Sequence, residues 1–199
     1  MMNKGILFVV SGPSGTGKGT ICKELEKDEN IFLSISSTSR EIRPGEKDGV
    51  TYNYKTREGF EKMIAEGQML EWATYDGNYY GTPKSDVEKM IAEGKNIILE
   101  IDVQGAFKIK EIFPETILIF VVPPSMKELK NRLVSRGREG EESINARLER
   151  AREELVLARQ YDYILMNDDL TQSVEEMRNI IIKANADRAV LDSLLNENL

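Results

Sequence analysis

The stretch Ile6-Leu7-Phe8-Val9-Val10-Ser11-Gly12-Pro13-Ser14-Gly15-Thr16-Gly17-Lys18-Gly19-Thr20 decides the fold of this 199-residue chain. An apolar run leads into a glycine-rich loop, and the residues after it turn amphipathic, with Ile21 and Leu25 one turn apart. That order reads as strand, loop, helix. Glycines let the backbone curl with its N–H groups inward, the helix N-terminus adds partial positive charge, and Lys18 supplies a full one. A loop of this kind is built for a polyphosphate, with Gly12, Pro13, Ser14, Gly15, Thr16, Gly17, Lys18, Gly19 and Thr20 as the expected contacts. The spacing fits GxxxxGK[ST] except that Gly19 occupies the Ser/Thr slot. The nearest hydroxyl moves to Thr20, and the direct ligands of any metal stay open.

Composition removes several chemistries. There is no histidine, which excludes a histidine general base, a Ser-His-Asp triad and every histidine-containing metal site. The single Cys22 excludes an internal disulfide and cysteine-cluster metal sites, and its place in the helix after the loop suits core packing. A formal net charge of -7 argues against polymeric nucleic acid as a partner. With 40% hydrophobic residues the chain can bury one core, with room for inserted subdomains. The N-terminal apolar run is too short to span a membrane and shows no cleavage pattern, so a cytoplasmic protein without a membrane partner is expected. Nothing in the pattern sets an oligomeric state.

Apolar runs recur at residues 6–10, 32–35, 97–101, 117–122 and 163–166, mostly with helix-like stretches between them, which predicts a parallel sheet covered on both faces. Helical signals fall on Leu129 and Leu133, on Ile144, Leu148 and Leu155, and across residues 174–195. Ser85 and Glu88 fit a capping box, with Gly94 placed to stop that helix. Residues from about 37 to 84 break the rhythm with tyrosine, threonine, glycine and arginine, and their strand-like pieces at 50–54 and 69–75 suggest a small mixed insert. The heptapeptide EKMIAEG occurs at residues 61–67 and 88–94. Its flanks differ, so the two copies read as similar helix ends rather than a repeat.

Three further constellations carry chemistry. The first is Ser36-Ser37-Thr38-Ser39-Arg40-Glu41-Ile42-Arg43-Pro44-Gly45-Glu46 with Gly49, Tyr52, Asn53 and Tyr54, in which two arginines and a tyrosine hydroxyl can clamp a phosphate. The second is Glu71-Trp72-Ala73 followed by Gly77-Asn78-Tyr79-Tyr80-Gly81-Thr82. The third is Leu99-Glu100-Ile101-Asp102-Val103-Gln104-Gly105. Together with the loop, in this order, they closely resemble the guanylate kinase family, and the resemblance runs from Gly5 to about Asp169, taking in Met166-Asn167-Asp168-Asp169.

The resemblance implies an α/β P-loop three-layer fold with a parallel core sheet, a small mixed α/β nucleotide-binding insert and a mobile lid. It also implies transfer of the terminal phosphoryl group of ATP to GMP, with Mg²⁺ accompanying the ATP. Residues 1–35, 85–125 and 146–199 would form the core, 36–84 the GMP-binding insert and 126–145 the lid. By the same resemblance Arg40, Arg43, Tyr52 and Tyr80 hold the GMP phosphate, while Ser36, Glu71, Thr82 and Asp102 read guanine.

The chemistry of Glu71 agrees with that role, since guanine offers N1–H and an exocyclic amine on one edge whereas adenine turns a lone pair there. Spacing alone weighs this equally against an exposed strand carboxylate beside a core Trp72. Tyr79 reads as packing. Asp102, at a strand end, could organise Mg²⁺ through water or position the acceptor, or could be a plain solvated carboxylate, as could Glu100.

Residues 132–152 hold half of the chain's arginines. Arg150 and Arg152 fit a solvated face paired with Glu149 or Glu153. Arg132, Arg136 and Arg147, together with Lys18, are the expected catalytic cations, because phosphoryl transfer spreads charge over oxygens that positive groups must meet. Gly137 and Gly140 suit a moving segment. A phosphate acceptor needs no strong protein base. The alternative from a different class is a non-catalytic interaction module on the same scaffold, but such modules resemble the enzyme with a degraded phosphate loop, and this loop is intact. A regulatory GTPase lacks support because no NKxD motif is present.

Overall fold

Continuous runs of β-branched and aromatic residues become strands when both faces can be buried, and this chain follows that rule. The computed structural model describes residues 4–75, 77–135 and 140–195. In chain order the first elements are β1 (Leu7–Ser11), α1 (Lys18–Leu25), β2 (Ile31–Leu33), β3 (Ser37–Thr38), β4 (Asn53–Tyr54), α2 (Arg57–Ala65), β5 (Met69–Tyr75) and β6 (Asn78–Pro83). They are followed by α3 (Lys84–Ala92), β7 (Asn96–Glu100), α4 (Val103–Ile112), β8 (Ile117–Val122), α5 (Met126–Ser135), α6 (Glu141–Leu157), β9 (Tyr163–Met166) and α7 (Leu170–Leu195). The five apolar runs are β1, β2, β7, β8 and β9. Among the described residues no helix is long and apolar enough to cross a membrane.

The chain divides into two compact units, residues 1–11 with 29–118 and residues 12–28 with 119–199. In the first, β7 pairs in parallel with β1, from Leu7 opposite Ile97 to Val10 opposite Glu100, and with β2, from Ile31 opposite Asn96 to Leu33 opposite Ile98. Every residue of β1 is buried. The same unit carries a mixed sheet in the order β4-β3-β6-β5, with β3 parallel to β4 and antiparallel to β6. Phe60 of α2 is fully buried and stacks on Tyr79 with ring centroids 5.3 Å apart, so Tyr79 is packing, as its spacing suggested. The hydroxyl of Thr56 caps α2 by accepting from Gly59 N–H at 3.0 Å.

The second unit pairs β8 with β9 in parallel, Ile119 opposite Tyr163 through Val122 opposite Met166. Strand β9 buries Leu165 while Ile164 and Met166 are exposed, so one of its faces is open. Helix α1 buries Ile21, Cys22 and Leu25, and α7 buries Val174, Met177, Ile181 and Ala184 at helical spacing. The two helices pack on each other. Cys22 is a core residue, as expected. Helices α5 and α6 share a cluster of Leu129, Leu133, Ile144, Leu148 and Ala151.

Both copies of EKMIAEG are helix ends of one type. Gln68 N–H donates to Met63 O at 2.9 Å and Lys95 N–H to Met90 O at 3.1 Å, each over a left-handed glycine, the six-to-one closure of a Schellman cap. The capping box expected at Ser85 and Glu88 does not form. Pro83 is the N-cap, α3 starts two residues earlier than the box requires, and the Ser85 hydroxyl turns to Asp86. Proline's fixed φ suits a helix entry and requires no N–H of its own there.

Leu129 is fully buried at the centre of the α5–α6 cluster. Leu129→Ala should therefore lower the urea-derived unfolding free energy by about 2–5 kcal/mol through lost transfer energy and a residual cavity. A loss below about 1 kcal/mol would show that this helix pair contributes little to the cooperative core.

Candidate functional site

The glycine loop, expected from its sequence to bind phosphate, lies in the second unit. Gly17 is the N-cap of α1 with φ 92°, and a Cβ there would stand 2.3 Å from Nδ2 of Asn167, so only glycine fits both the backbone and the space. Lys18, the first residue of α1, folds its ammonium back across its own loop and donates to the carbonyls of Gly12 and Pro13, the latter at 3.0 Å. Thr16 is fully buried, its hydroxyl donating to Pro13 O at 3.0 Å, whereas Ser14 is exposed at the tip. Gly19 offers no hydroxyl and Thr20 is exposed.

Of the three expected arginines one bonds this loop directly and a second holds Asn167, which bonds it. Arg147 of α6 donates from NH2 to Ser14 Oγ at 2.9 Å. Arg132 of α5 donates from Nε to Glu128 Oε1 at 2.9 Å and from NH1 to Asn167 O at 3.0 Å. The Arg132 guanidinium in turn pulls the Glu128 carboxyl below its ordinary range. Arg136 and the neighbouring Gly137 and Arg138 lie outside the described residues. Arg152 pairs with Glu149 on an exposed helix face, as its spacing suggested.

In the first unit the mixed sheet and its loops assemble two patches of opposite charge. The cationic patch centres on Arg40, whose guanidinium carbon lies 5.6 Å from the Tyr52 ring centre and 5.8 Å from that of Tyr54. Tyr80 stands edge-on to Tyr52, with centroids 5.8 Å apart. Burial and the negative charge of Glu100 push the Tyr52 phenol up, so it stays a neutral donor at neutral pH. Arg43 joins through its backbone N–H while the residue itself is exposed, and half-buried Ser36 accepts from Asn53 N–H through its carbonyl.

Glu46 organises this patch. Its Oε1 accepts from Arg40 NH2 at 2.8 Å, and its Oε2 accepts from Arg43 N–H and from the Tyr54 hydroxyl, each at 2.8 Å. The Arg40 bond above all, with the Arg43 N–H and Tyr54 bonds behind it, holds the Glu46 carboxyl down at about 2. The sequence signal was present in Pro44-Gly45, a turn pair that folds Glu46 back so its N–H reaches Arg43 O at 3.0 Å.

The acidic patch decides between the two readings that spacing left equal. Glu71 is buried at 6% exposure while Trp72 is 38% exposed, the opposite of an outward carboxylate beside a core tryptophan. A register shift between Met69 and Glu71 aligns Glu71 with Thr82 across β5 and β6. The Thr82 hydroxyl donates to Glu71 Oε1 at 2.7 Å. Asp102 is the N-cap of α4 and accepts from Gly105 N–H at 2.7 Å, a structural duty its position before Val103 did not reveal.

A Cβ at Gly105 would stand 2.9 Å from Glu71 Oε2 and 3.3 Å from Asp102 Oδ1, so the two carboxylates come together over that residue. Burial pushes the Glu71 carboxyl up. The Thr82 bond opposes this, the Asp102 charge adds to it, and Lys108 lowers it again. Lys108 itself donates to Trp72 O at 2.8 Å and lies over that ring.

The first unit thus offers a cationic, phenol-lined patch and a pair of acceptors, Glu71 buried and Asp102 exposed, and the second a glycine loop met by Lys18 and Arg147. Among the described residues no group of three or more His, Cys, Asp or Glu side chains could hold a metal ion.

The guanylate kinase family model matches residues 4–184. The guanylate kinase of Oceanobacillus iheyensis is 52% identical over 179 residues, 89% of this chain and 87% of the relative. That of Clostridium perfringens is 50% identical over 198 residues, 99% of this chain and 90% of the relative. The crystal structure of guanylate kinase from Anaplasma phagocytophilum superposes with a TM-score of 0.77 at 34% identity, covering 91% of this chain and 86% of that one. A match across nearly the whole chain, joined to a glycine loop with its cations and a paired-carboxylate pocket, means that this chain belongs to the guanylate kinase family.

Proposed function

We propose that the chain is an ATP:GMP phosphotransferase, with Gly12 to Thr20 binding ATP and the insert at 36–84, together with Asp102, binding GMP. The observation that carries the acceptor assignment is the buried Glu71 and its neighbour Asp102. Guanine N1–H and the exocyclic amine are donors that match these acceptors, whereas adenine would turn a lone pair toward them. Thr82 and Ser36 complete the base contacts. Arg40, Arg43, Tyr52 and Tyr80 receive the phosphate.

In the reaction a GMP phosphate oxygen attacks the terminal phosphorus of ATP, and the bridging oxygen leaves with its electron pair as ADP. The acceptor is already an oxyanion, so no protein base is required and the chain contributes alignment and charge. Lys18 exchanges its contacts with Gly12 and Pro13 carbonyls for phosphate oxygens. Arg132, Arg136 and Arg147 meet the charge that spreads in the transition state, and residues 126–145 act as a lid that excludes water. Mg²⁺ would accompany ATP and supply charge neutralisation to its phosphates, and the Thr20 hydroxyl would be the loop oxygen next to the Ser/Thr slot that could meet it. A cytoplasmic location belongs to the same proposal.

Purified protein given MgATP and GMP should release ADP and GDP, and a coupled assay over AMP, CMP, UMP and GMP should show a preference for GMP of several orders of magnitude. Equal use of AMP would remove Glu71 from base recognition. Lys18→Met should fold and lose about 10²–10³ in kcat, on the scale of other preorganised charge contacts. Near-native turnover in a folded variant would reject the phosphate-loop role.

Glu71 also links recognition to stability. Its folded carboxyl is raised by burial, so the native state holds its proton more tightly than the unfolded chain does, and the ionised group costs stability as pH rises above the ordinary carboxyl value. Glu71→Gln keeps an acceptor for Thr82 and removes that cost. The variant should melt higher than wild type at pH 7, with the gap closing toward pH 4, while GMP turnover collapses. A variant less stable than wild type at pH 7 would contradict this account.

A further inference from the structure

Asn167, just past the end of β9, is 7% exposed, and both of its polar ends are engaged by protein. Its Nδ2 donates to Thr16 O in the phosphate loop at 2.7 Å, and its Oδ1 accepts from the Ser173 hydroxyl of α7 at 3.1 Å. Its backbone N–H donates to Val122 O at the end of β8 at 2.9 Å, and its carbonyl accepts from Arg132 NH1 at 3.0 Å. The amide orientation follows from chemistry, because a carbonyl at Thr16 needs a donor and the serine hydroxyl can then face the oxygen. Gly17 leaves the space that the amide fills, since a Cβ there would be 2.3 Å from Nδ2.

From this network we infer that Asn167 is a positioning residue for phosphoryl transfer, fixing the curvature of the phosphate loop and the place of Arg132 from a single buried point. The inference rests on the reading that this loop and Arg132 act on ATP. A glycine loop with left-handed positions has little intrinsic preference for one shape. Lys18 and Thr16 hold the Gly12 and Pro13 carbonyls from within the loop, and the shape left open is fixed by whatever holds a further carbonyl from outside. Thr16 O is such a handle, and Asn167 grips it while its own peptide carbonyl holds Arg132. Displacing the amide should therefore disturb the ATP side and leave GMP affinity alone.

Asn167→Asp keeps the size and puts an acceptor against Thr16 O, and Ser173→Ala removes only the group that orients the amide. Steady-state kinetics with each nucleotide varied, alongside thermal melts, read the effect. Asn167→Asp should raise KM for ATP and lower kcat, each by about tenfold, the scale of one buried hydrogen bond turned to repulsion. Ser173→Ala should move both in the same direction by about two- to fivefold, and KM for GMP should stay within about twofold in both variants. A merely structural role would lower stability and active fraction without splitting the two KM values. An unchanged KM for ATP in both variants, or equal rises for ATP and GMP, would overturn the inference. Should Asn167→Asp not fold, Ser173→Ala decides by the same criteria. Lys18→Met run in parallel separates the two levels. Its failure to impair turnover removes the phosphate-loop reading, whereas its collapse beside unaffected Asn167 and Ser173 variants removes this inference alone.

Discussion

The hydrogen bond from Asn167 Nδ2 to Thr16 O, with Gly17 making room for it, is the constraint on which the second unit's chemistry depends. Backbone N–H groups are weak ligands one at a time. They bind a polyphosphate well only when several are aimed before it arrives, so that no ordering cost falls on the binding step. Four of the loop's nine residues are glycines, and the side chains of Thr16 and Lys18 tie the loop only to its own Gly12 and Pro13 carbonyls. The aim comes from a residue about 150 positions away in sequence, beyond the strand that ends at Met166. Ser173 and Val122 hold that residue in turn, which converts the rigidity of α7 and β8 into the shape of a loop that has little of its own.

Charge is handled differently in the first unit. Arg40 is half-buried and already satisfied by Glu46, which keeps a concentrated positive patch tolerable while it waits for an anion. Glu71 has no cation among its hydrogen-bond partners in the described residues, only the hydroxyl and backbone of Thr82, and burial raises its proton affinity. One end of the pocket is compensated and the other is not. A ligand carrying phosphate at one end and a donor edge at the other relieves the second end while replacing Glu46 or sharing Arg40 at the first. The uncompensated carboxylate is the more selective device, because a ligand without donors leaves it buried and unmet.

The sequence disclosed what depends on contiguous pattern. The five strands of the two parallel ladders were legible because each is an unbroken apolar run, β1 buried on both faces and β9 on one, and the glycine loop because its pattern lies in nine consecutive residues. The twin EKMIAEG endings were legible because a helix stop is local. Three features were not. The burial of Glu71 and exposure of Trp72 depend on a register shift between Met69 and Glu71, and alternation inverts when a strand gains one residue. The Ser85 capping box gave way to Pro83, a choice between two adequate local signals that the β6–α3 junction made. Asn167 acts through partners that only the folded chain brings near, and Glu46, although the Pro44-Gly45 turn marks its return to Arg43, meets the Arg40 guanidinium and the Tyr54 hydroxyl only in the fold.

These failures share a direction. What sequence pattern hides is the set of polar residues that position other polar residues, because their value lies in one long-range hydrogen bond rather than in a face or a spacing. The net charge of -7 makes the same point at the scale of the whole chain. An acidic protein in a family that handles two anionic nucleotides cannot rely on a general positive field. It must build small cationic sites whose arginines are held in place by acceptors that the substrate does not fully displace. Glu46 beside Arg40, Glu128 beside Arg132 and the carbonyl of Asn167 do this by compensating each cation in the free protein. Each of these two carboxylates uses its charge to fix where its arginine's guanidinium lies in the free protein, which a solvated carboxylate elsewhere on the surface does not do.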